Sequence, residues 1–208
     1  MIRDVLVFTP VYRLEVQTVR ALMGLQWGGA LSLLMQRDNP TGNGFLDHLH
    51  QYQRGRKLFL QGDYDALLVI ESDIVPPKDA LVRLAAVDAD VVYGCYMLRV
   101  DPDNPVVNVF ERYADPQARN VGESLTVRGL WPAARAAGLV SCSGGGLGCT
   151  LIHRRVLEAH PFEIPQGEPL TWCDGYWTQS VFRAGWRMMA DTAVCCDHVC
   201  PDGRVLSV

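Results

Sequence analysis

The chain has 208 residues, of which 49% are hydrophobic and 20% charged, and its formal net charge at pH 7 is −4. These proportions are those of a folded globular protein and exclude a disordered or fibrous chain. The negative charge gives no general attraction to nucleic acid, so we expect no nucleic-acid partner. An anionic ligand must then be met by local cations or by a metal ion.

The sequence also indicates the cellular location of the protein. No apolar stretch reaches the ~20 residues that a membrane span requires, and the N-terminus enters a strand pattern without the features of a signal peptide. The seven cysteines are odd in number and lack the spacing of a disulfide framework, which predicts reduced thiols. We therefore predict no membrane span and a cytoplasmic location.

Strands and helices alternate through the first hundred residues. Apolar runs closed by turn residues predict strands over 4–10, 31–39, 64–70 and 90–98, and amphipathic spacing predicts helices over 45–60 and 79–86. A further helix after the first strand is expected to bury one apolar face made of Val16, Val19, Leu22 and Met23. This alternation is typical of an α/β, Rossmann-like fold with a mostly parallel central sheet flanked by helices.

The second half of the chain is less regular. Residues 100–140 are polar and contain four prolines, which indicates a small antiparallel insertion with edge strands at 106–110 and 124–129. The segment 139–152 reads as strand, glycine-rich turn and strand, followed by a short helix. A last helix is expected to bury Trp177, Val181 and Ala184, and a final strand leads to His198.

Three predicted strand ends carry polar residues, and ligands of such sheets bind beyond the carboxyl ends of the strands. In "LLVIESDIVPP" (67–77), Glu71 and Asp73 point to the same side of an extended chain. Two adjacent carboxylates repel each other unless a cation or a proton lies between them, and a hard ion such as Mg²⁺ or Mn²⁺ suits their oxygen atoms. The alternative is a strand that ends in solvated acids.

An apolar strand ending in acid-x-Asp, then Pro-Pro and an amphipathic helix, resembles the DxD region of GT-A glycosyltransferases, especially the inverting enzymes of the family 2-like group. Glu71 stands where Asp is usual. The resemblance covers nearly the whole chain and implies one domain over 1–208, with a nucleotide-binding half (1–99) and an acceptor and catalytic half (100–208). It also implies a metal site in which His198, at the end of "AGWRMMADTAVCCDH", joins Glu71 and Asp73. The alternative for His198 is a structural histidine.

The resemblance further implies which residues meet the nucleotide. The nucleoside contacts are placed at the ends of the first two strands, the metal strand supplies Ser72, and the basic helix supplies a phosphate contact. The residues assigned are Thr9, Pro10, Asp38, Ser72 and Arg56, with Arg54 as the alternative to Arg56. For both arginines a solvated helix face is the other interpretation.

The remaining assignments concern the acceptor. In "WCDGYWTQSVFRAGW", Asp174 matches the second member of an acidic pair and is implied to be the general base, whereas Cys173 replaces the first acid. The alternative is that Asp174 caps the helix N-terminus. In "SGGGLGC" (143–149), Gly145 and Gly146 are implied to lie under the donor sugar and acceptor, the alternative being a tight hairpin.

Together these assignments predict a metal-dependent glycosyltransferase, using Mn²⁺ or Mg²⁺. It would move a sugar from a nucleotide diphosphate sugar to an unidentified acceptor hydroxyl with inversion, and an oligomer is possible. Two other functions remain open. One is a non-catalytic nucleotide-sugar or carbohydrate binding protein with a degenerate site, and the other is a nucleotidyltransferase.

Overall fold

The computed structural model of the chain describes residues 2–99, 105–112, 123–126 and 131–208. The strands are β1 Asp4–Pro10, β2 Ala30–Gln36, β3 Ala66–Ile70, β4 Ile74–Val75, β5 Val91–Cys95, β6 Val106–Arg112, β7 Glu123–Thr126, β8 Leu139–Ser141, β9 Gly144–Gly145, β10 Cys149–His153, β11 Met188–Cys195, β12 Asp197–Val199 and β13 Val205–Leu206. The helices are α1 Val16–Met23, α2 Gly44–Gln61, α3 Ala80–Ala86, α4 Trp131–Ala137, α5 Arg154–Ala159 and α6 Cys173–Arg183.

A seven-stranded sheet with the order β2-β1-β3-β10-β5-β11-β8 forms the centre of the molecule. Strands β2, β1 and β3 are parallel, and so are β5 and β11. Strand β10 runs antiparallel to both β3 and β5, and β8 runs antiparallel to β11. The predicted mostly parallel α/β sheet is therefore confirmed.

Both faces of this sheet are covered by helices, which explains why the central strands β1, β3 and β5 are continuous buried runs, whereas the edge strands β2 and β8 are partly exposed. In β1, Val5 and Val7 face one core with α1 and α3, whereas Leu6 and Phe8 face the other core with α2, α4, α5 and α6. All four side chains are buried. Full burial of a residue such as Phe8 contributes about 1.5–3 kcal/mol to stability.

The prediction for the buried face of α1 was right for Leu22 and wrong for Val16 and Met23. The helix buries Thr18 and Leu22, which are one turn apart, whereas Val16 and Met23 are exposed. Residues 16, 19 and 23 share a helix face at 100° per residue, and on that face Val16 and Met23 are exposed whereas Val19 is half-buried. The helix has only eight residues, and its packing against the sheet, not its own pattern, selects the buried stripe.

Two further predictions need correction in the second half of the chain. The strands on either side of the glycine-rich segment do not form a hairpin, because β8 lies at the sheet edge and β10 in its middle. Between them β9 pairs with β6, and β6 pairs with β7, to make the small antiparallel sheet. The helix α4 was not expected in this polar region, and Ala184 is exposed beyond the end of α6.

A second small sheet, β13-β12-β4, joins the C-terminal strands to the segment that follows β3. Strand β4 follows the end of β3 after a turn, and β12 pairs antiparallel with it. This pairing brings the C-terminal segment to the carboxyl end of the parallel strands. No helix among the described residues has the length and apolarity needed to cross a membrane.

We predict that Gly55→Ala destabilises the protein although Gly55 lies inside a helix. Alanine is about 1 kcal/mol better than glycine in a helix interior. Here, however, a Cβ at Gly55 would lie 2.7–2.9 Å from three atoms of the buried Phe8 ring. We expect a net loss of about 1–3 kcal/mol in the free energy of unfolding, measured by urea denaturation. Gly28→Ala is the control, because nothing lies within 4 Å of a Cβ there. A stabilised Gly55→Ala variant would contradict this packing.

Candidate functional site

The acidic turn Glu71–Asp73 follows directly on the fully buried strand β3. The backbone N–H of Glu71 donates to the Gly148 carbonyl at 3.0 Å, and the N–H of Ile74 donates to the Glu71 carbonyl at 3.0 Å. Ser72 between the acids is buried, and its carbonyl accepts from the N–H of Glu15. The turn is therefore held by the sheet on one side and by the β1–α1 loop on the other.

The two carboxylates of this turn have different partners. Glu71 Oε1 accepts a hydrogen bond from the hydroxyl of Tyr52 at 3.0 Å and lies 3.7 Å from His48 Nε2. Asp73 Oδ2 forms an ion pair with Arg99 and lies 3.7 Å from His198 Nε2. The acids thus lie at one sheet edge but face two separate groups of side chains.

His198 reaches Asp73 because β12 pairs with β4. His198 is the register partner of Ile74, and the N–H of Val199 donates to the Asp73 carbonyl at 2.9 Å. The His198 Nδ1 atom lies 2.6 Å from the carbonyl oxygen of Met97. Because a carbonyl only accepts, Nδ1 must carry a proton, and Nε2 is the atom that faces Asp73.

The Asp73 carboxyl is held in its charged form. Burial alone would raise its pKa, but the nearby His198 ring and the positive charge of Arg99 outweigh burial and lower the pKa. Beside this stable carboxylate lies Nε2 of His198, whose ring is oriented by the contact between Nδ1 and the Met97 carbonyl. A carboxylate and an imidazole nitrogen held in this way are a donor pair that suits a divalent cation. Asp73 and His198 are residues of the kind that hold such an ion, and Arg99 pairs with the same carboxylate oxygen that faces His198.

The predicted third ligand does not join that pair. Glu71 is engaged with Tyr52 and His48, and within the described ranges no group of three His, Cys, Asp or Glu side chains is arranged to hold a metal ion. The structure therefore brings Asp73 and His198 together and leaves Glu71 apart from them. Metal binding itself remains a prediction.

Asp174 lies in the first turn of α6, and the structure corrects the alternative that it is the N-cap. Trp172 occupies the N-cap position, and Asp174 Oδ1 accepts from the N–H of Gly175 at 2.9 Å. The folded protein raises the pKa of Asp174. Burial and the nearby negative charge of Glu71 disfavour its ionisation, and together they outweigh His48 and the backbone N–H donors, which favour it. A carboxylate of raised pKa is a better proton acceptor than an ordinary aspartate.

His48 connects the Asp174 helix to the acidic turn, and it was not among the predicted site residues. Its Nδ1 atom is 3.3 Å from Cys173 Sγ, while its Nε2 atom faces Glu71. Burial raises the pKa of Cys173 well above its usual range, so Cys173 is a neutral thiol, and the donor in its contact with Nδ1 depends on which His48 nitrogen carries the proton. Burial alone would lower the pKa of His48, but the adjacent Glu71 carboxylate and the charge of Asp174 outweigh burial and raise it.

One sequence signal could have indicated His48 and Tyr52. The two residues are four apart on α2, which places both on the same helix face. Their rings lie 4.6 Å apart between centroids, and Tyr52 is fully buried. The amphipathic pattern predicted the helix but did not show that this polar pair points to the strand ends.

The glycines 145 and 146 lie against protein side chains and backbone. A Cβ at Gly146 would be 2.5 Å from the hydroxyl of Tyr96, and one at Gly145 would be 2.9 Å from the Asn108 carbonyl oxygen. The Tyr96 hydroxyl in turn accepts from the N–H of Gly148 at 3.1 Å. The small residues thus permit close packing around Tyr96, and their predicted role under the sugar and acceptor stays a prediction.

The predicted nucleotide contacts divide into two groups. Thr9 and Pro10 are buried at the end of β1, next to the end of β2. Asp38, just beyond β2, lies 3.1 Å from His50 Nε2 and 3.4 Å from Arg54 Nη1. These residues share the sheet edge that carries the acidic turn.

Arg56 is the predicted residue that the structure does not bring to this edge. Its guanidinium donates to the carbonyl oxygens of Leu157 at 2.6 Å and Glu158 at 3.3 Å. The side chain therefore binds the C-terminal end of α5, whose last carbonyls have no partners within the helix. The expected phosphate contact at Arg56 is not supported, and Arg54, paired with Asp38, lies closer to the strand ends.

We predict that Asp174→Asn raises the melting temperature at pH 7. Because the folded protein raises the pKa of Asp174 above its ordinary value of 3.8, its ionised form destabilises the fold at neutral pH. That penalty disappears as the pH falls below 3.8, so the difference between variant and wild type should shrink there. Calorimetry across pH measures the effect.

Asp88→Asn, at a fully exposed side chain, is the control and should not change the melting temperature. A lower melting temperature for Asp174→Asn at pH 7 would show that the charge is stabilised.

Comparison with known proteins gives similarity at the level of structure. No protein-family model matches the chain, and no curated protein does so. A197 from STIV is similar with a TM-score of 0.59 and 19% identity, over 98% of this chain and 93% of that one. S. aureus TarS 1–349 is similar with a TM-score of 0.51 and 13% identity, over 90% of this chain and 57% of that one. The complex of the same TarS fragment with UDP gives a TM-score of 0.49 and 12% identity, with the same coverage. At these identities the likeness concerns the fold alone: the chain shares its α/β, Rossmann-like fold with A197 and with part of TarS.

Proposed function

We propose that this protein transfers a sugar from a nucleotide diphosphate sugar to an acceptor hydroxyl, with inversion at the anomeric carbon. The observation that carries the proposal is the placement of Asp73, His198 and Asp174 at one end of the parallel strands. Asp73 and His198 suit the diphosphate side of the reaction, and Asp174 suits the acceptor side. His48, between Glu71 and Cys173, connects the two sides.

The reaction needs one proton acceptor and one place for developing negative charge. The acceptor oxygen attacks the anomeric carbon, and its proton passes to the Asp174 carboxylate. The bond from that carbon to the diphosphate oxygen breaks, and its electron pair leaves with the diphosphate. Attack from the side opposite to the leaving group inverts the configuration. The raised pKa of Asp174 favours proton acceptance.

A divalent cation, Mn²⁺ or Mg²⁺, is part of this proposal. Asp73 and His198 would hold it, and Glu71 would join only after turning from Tyr52 and His48. When bound, the ion would neutralise negative charge on the diphosphate. The contact between Asp73 and Arg99 shows that a protein cation already shares this carboxylate.

We expect wild-type protein to be stabilised by nucleoside diphosphates in a thermal-shift panel of the common bases, more strongly with Mn²⁺ than with EDTA. A ligand that binds only the folded form raises its apparent stability. Asp73→Asn should reduce the dependence on Mn²⁺. Diphosphates that give no shift under any condition would contradict the proposed donor class.

We also predict that Asp174→Asn lowers the rate of sugar transfer by about 10²–10⁴-fold, the range typical of removing a general base. Donor binding should be unchanged, because Asp174 acts on the acceptor. The rate is measured as nucleoside diphosphate released with candidate acceptors, and Asp88→Asn serves as the matched control. Release of pyrophosphate would instead indicate a nucleotidyltransferase. Donor binding without turnover of any acceptor would favour the binding protein, and full activity in Asp174→Asn would exclude Asp174 as the base.

A further inference from the structure

Two arginines that belong to none of the assigned roles meet at the C-terminal segment Val199–Pro201. Arg99 follows β5, and its Nη2 donates to the Val199 carbonyl at 2.8 Å and to Asp73 Oδ2. Arg13 lies in the β1–α1 loop, and its Nη1 donates to the Pro201 carbonyl at 2.8 Å. Residues from distant parts of the chain thus place two guanidinium groups along one short stretch of backbone.

The same two arginines are tied to the acidic turn. Arg99 binds Asp73 directly, whereas Arg13 is linked through its neighbour Glu15. Arg13 Nε lies 2.7 Å from Glu15 Oε1, and the N–H of Glu15 donates to the Ser72 carbonyl at 3.0 Å. Ser72 is the residue between the two acids. The arginines therefore approach the turn from two places, the segment after β5 and the β1–α1 loop.

Both guanidinium groups remain accessible. The side chain of Arg99 is 33% exposed and that of Arg13 is 54% exposed, although each is partly committed to carbonyl and carboxylate oxygens. A guanidinium has five N–H donors in a planar fork that matches phosphate oxygens, so one carbonyl and one carboxylate do not exhaust it. Each arginine can donate to an anion while it keeps its contact with the segment 199–201.

The negative charge at the carboxyl ends of the parallel strands requires positive groups next to any bound phosphate. Glu71, Asp73 and Asp174 lie around the site, and the chain as a whole has a net charge of −4. A nucleoside diphosphate that enters would be repelled unless positive groups lie next to its phosphates. The contact predicted for Arg56 does not supply this charge, because Arg56 is bound to α5.

We propose that Arg13 and Arg99 form a two-arginine site for the diphosphate group of a nucleoside diphosphate. This inference rests on the proposed function and adds protein cations that bind the leaving group beside the Asp73–His198 pair. Arg99 moves part of its fork from Asp73 to the phosphates when the ligand enters. Arg13 closes the other side of the diphosphate from the β1–α1 loop.

A purely structural role is the competing interpretation, in which both arginines only fasten the segment 199–201 to the fold. That role predicts lower stability in variants but no preference among ligands. A diphosphate site predicts a selective effect, since a nucleoside monophosphate lacks the second phosphate. The ratio of the affinities for a nucleoside diphosphate and the matching monophosphate therefore separates the two roles.

The test measures this ratio by calorimetry for wild type, Arg13→Gln, Arg99→Gln and Arg99→Lys. Each protein is titrated with the diphosphate and monophosphate of the base that binds best, once with EDTA and once with Mn²⁺. We expect each Gln variant to lose about tenfold or more in diphosphate affinity, because it loses charge-assisted hydrogen bonds, and much less in monophosphate affinity. Arg99→Lys keeps the charge but not the fork and should fall between wild type and Arg99→Gln.

The matched control is Arg187→Gln. Arg187 is an exposed arginine paired with the exposed Asp88, at the opposite ends of the strands, and its replacement should leave both affinities unchanged. If Arg99→Gln does not fold, Arg13→Gln and Arg99→Lys still test the ratio. Diphosphate binding in the wild type with an unchanged ratio in the arginine variants would overturn this inference and leave the proposed function intact. A wild-type protein that binds no nucleoside diphosphate would instead refute the proposed function.

Discussion

The antiparallel pairing of β4 with β12 is the interaction on which the candidate site depends. It fastens the C-terminal segment across the turn that ends β3, so that His198 meets Asp73 and Val199 binds its backbone. The same segment supplies the carbonyls that hold Arg13 and Arg99. Without this small sheet, Asp73 would lose its contacts with His198 and Val199.

The site holds carboxylates in two different states. Asp73 lies against Arg99 and His198, which keep its pKa low, whereas surrounding protein and Glu71 raise the pKa of Asp174. Carboxylates whose environments shift their pKa values in opposite directions are suited to different roles. A permanently charged group can hold a cation, and a group of raised pKa can accept a proton. His48 lies between the two carboxylates: its Nε2 atom faces Glu71 of the acidic turn that contains Asp73, and its Nδ1 atom contacts Cys173, the residue before Asp174.

Fold and function have different support in this protein. The sheet order and the helices on both faces establish an α/β, Rossmann-like fold, which the chain shares with A197 and TarS at low identity. One fold can serve several chemistries, so activity must be argued from the site. The side chains at the strand ends carry that argument, and they combine acids, an imidazole and arginines at the edge where such sheets bind ligands.

Local patterns in the sequence were sufficient to predict the parallel sheet, the strand end at Glu71 and Asp73, and the helix that begins near Asp174. Such features depend on periodicity and turn chemistry within a few residues. Other features required the tertiary structure: the buried face of α1, the separation of Glu71 from Asp73 and His198, the binding of Arg56 to α5, and the presence of His48 and Arg99 at the site. Each of these depends on a neighbour that is distant in sequence. A single sequence does not state which helix face meets the sheet or which cation reaches a carboxylate, because packing between elements decides both.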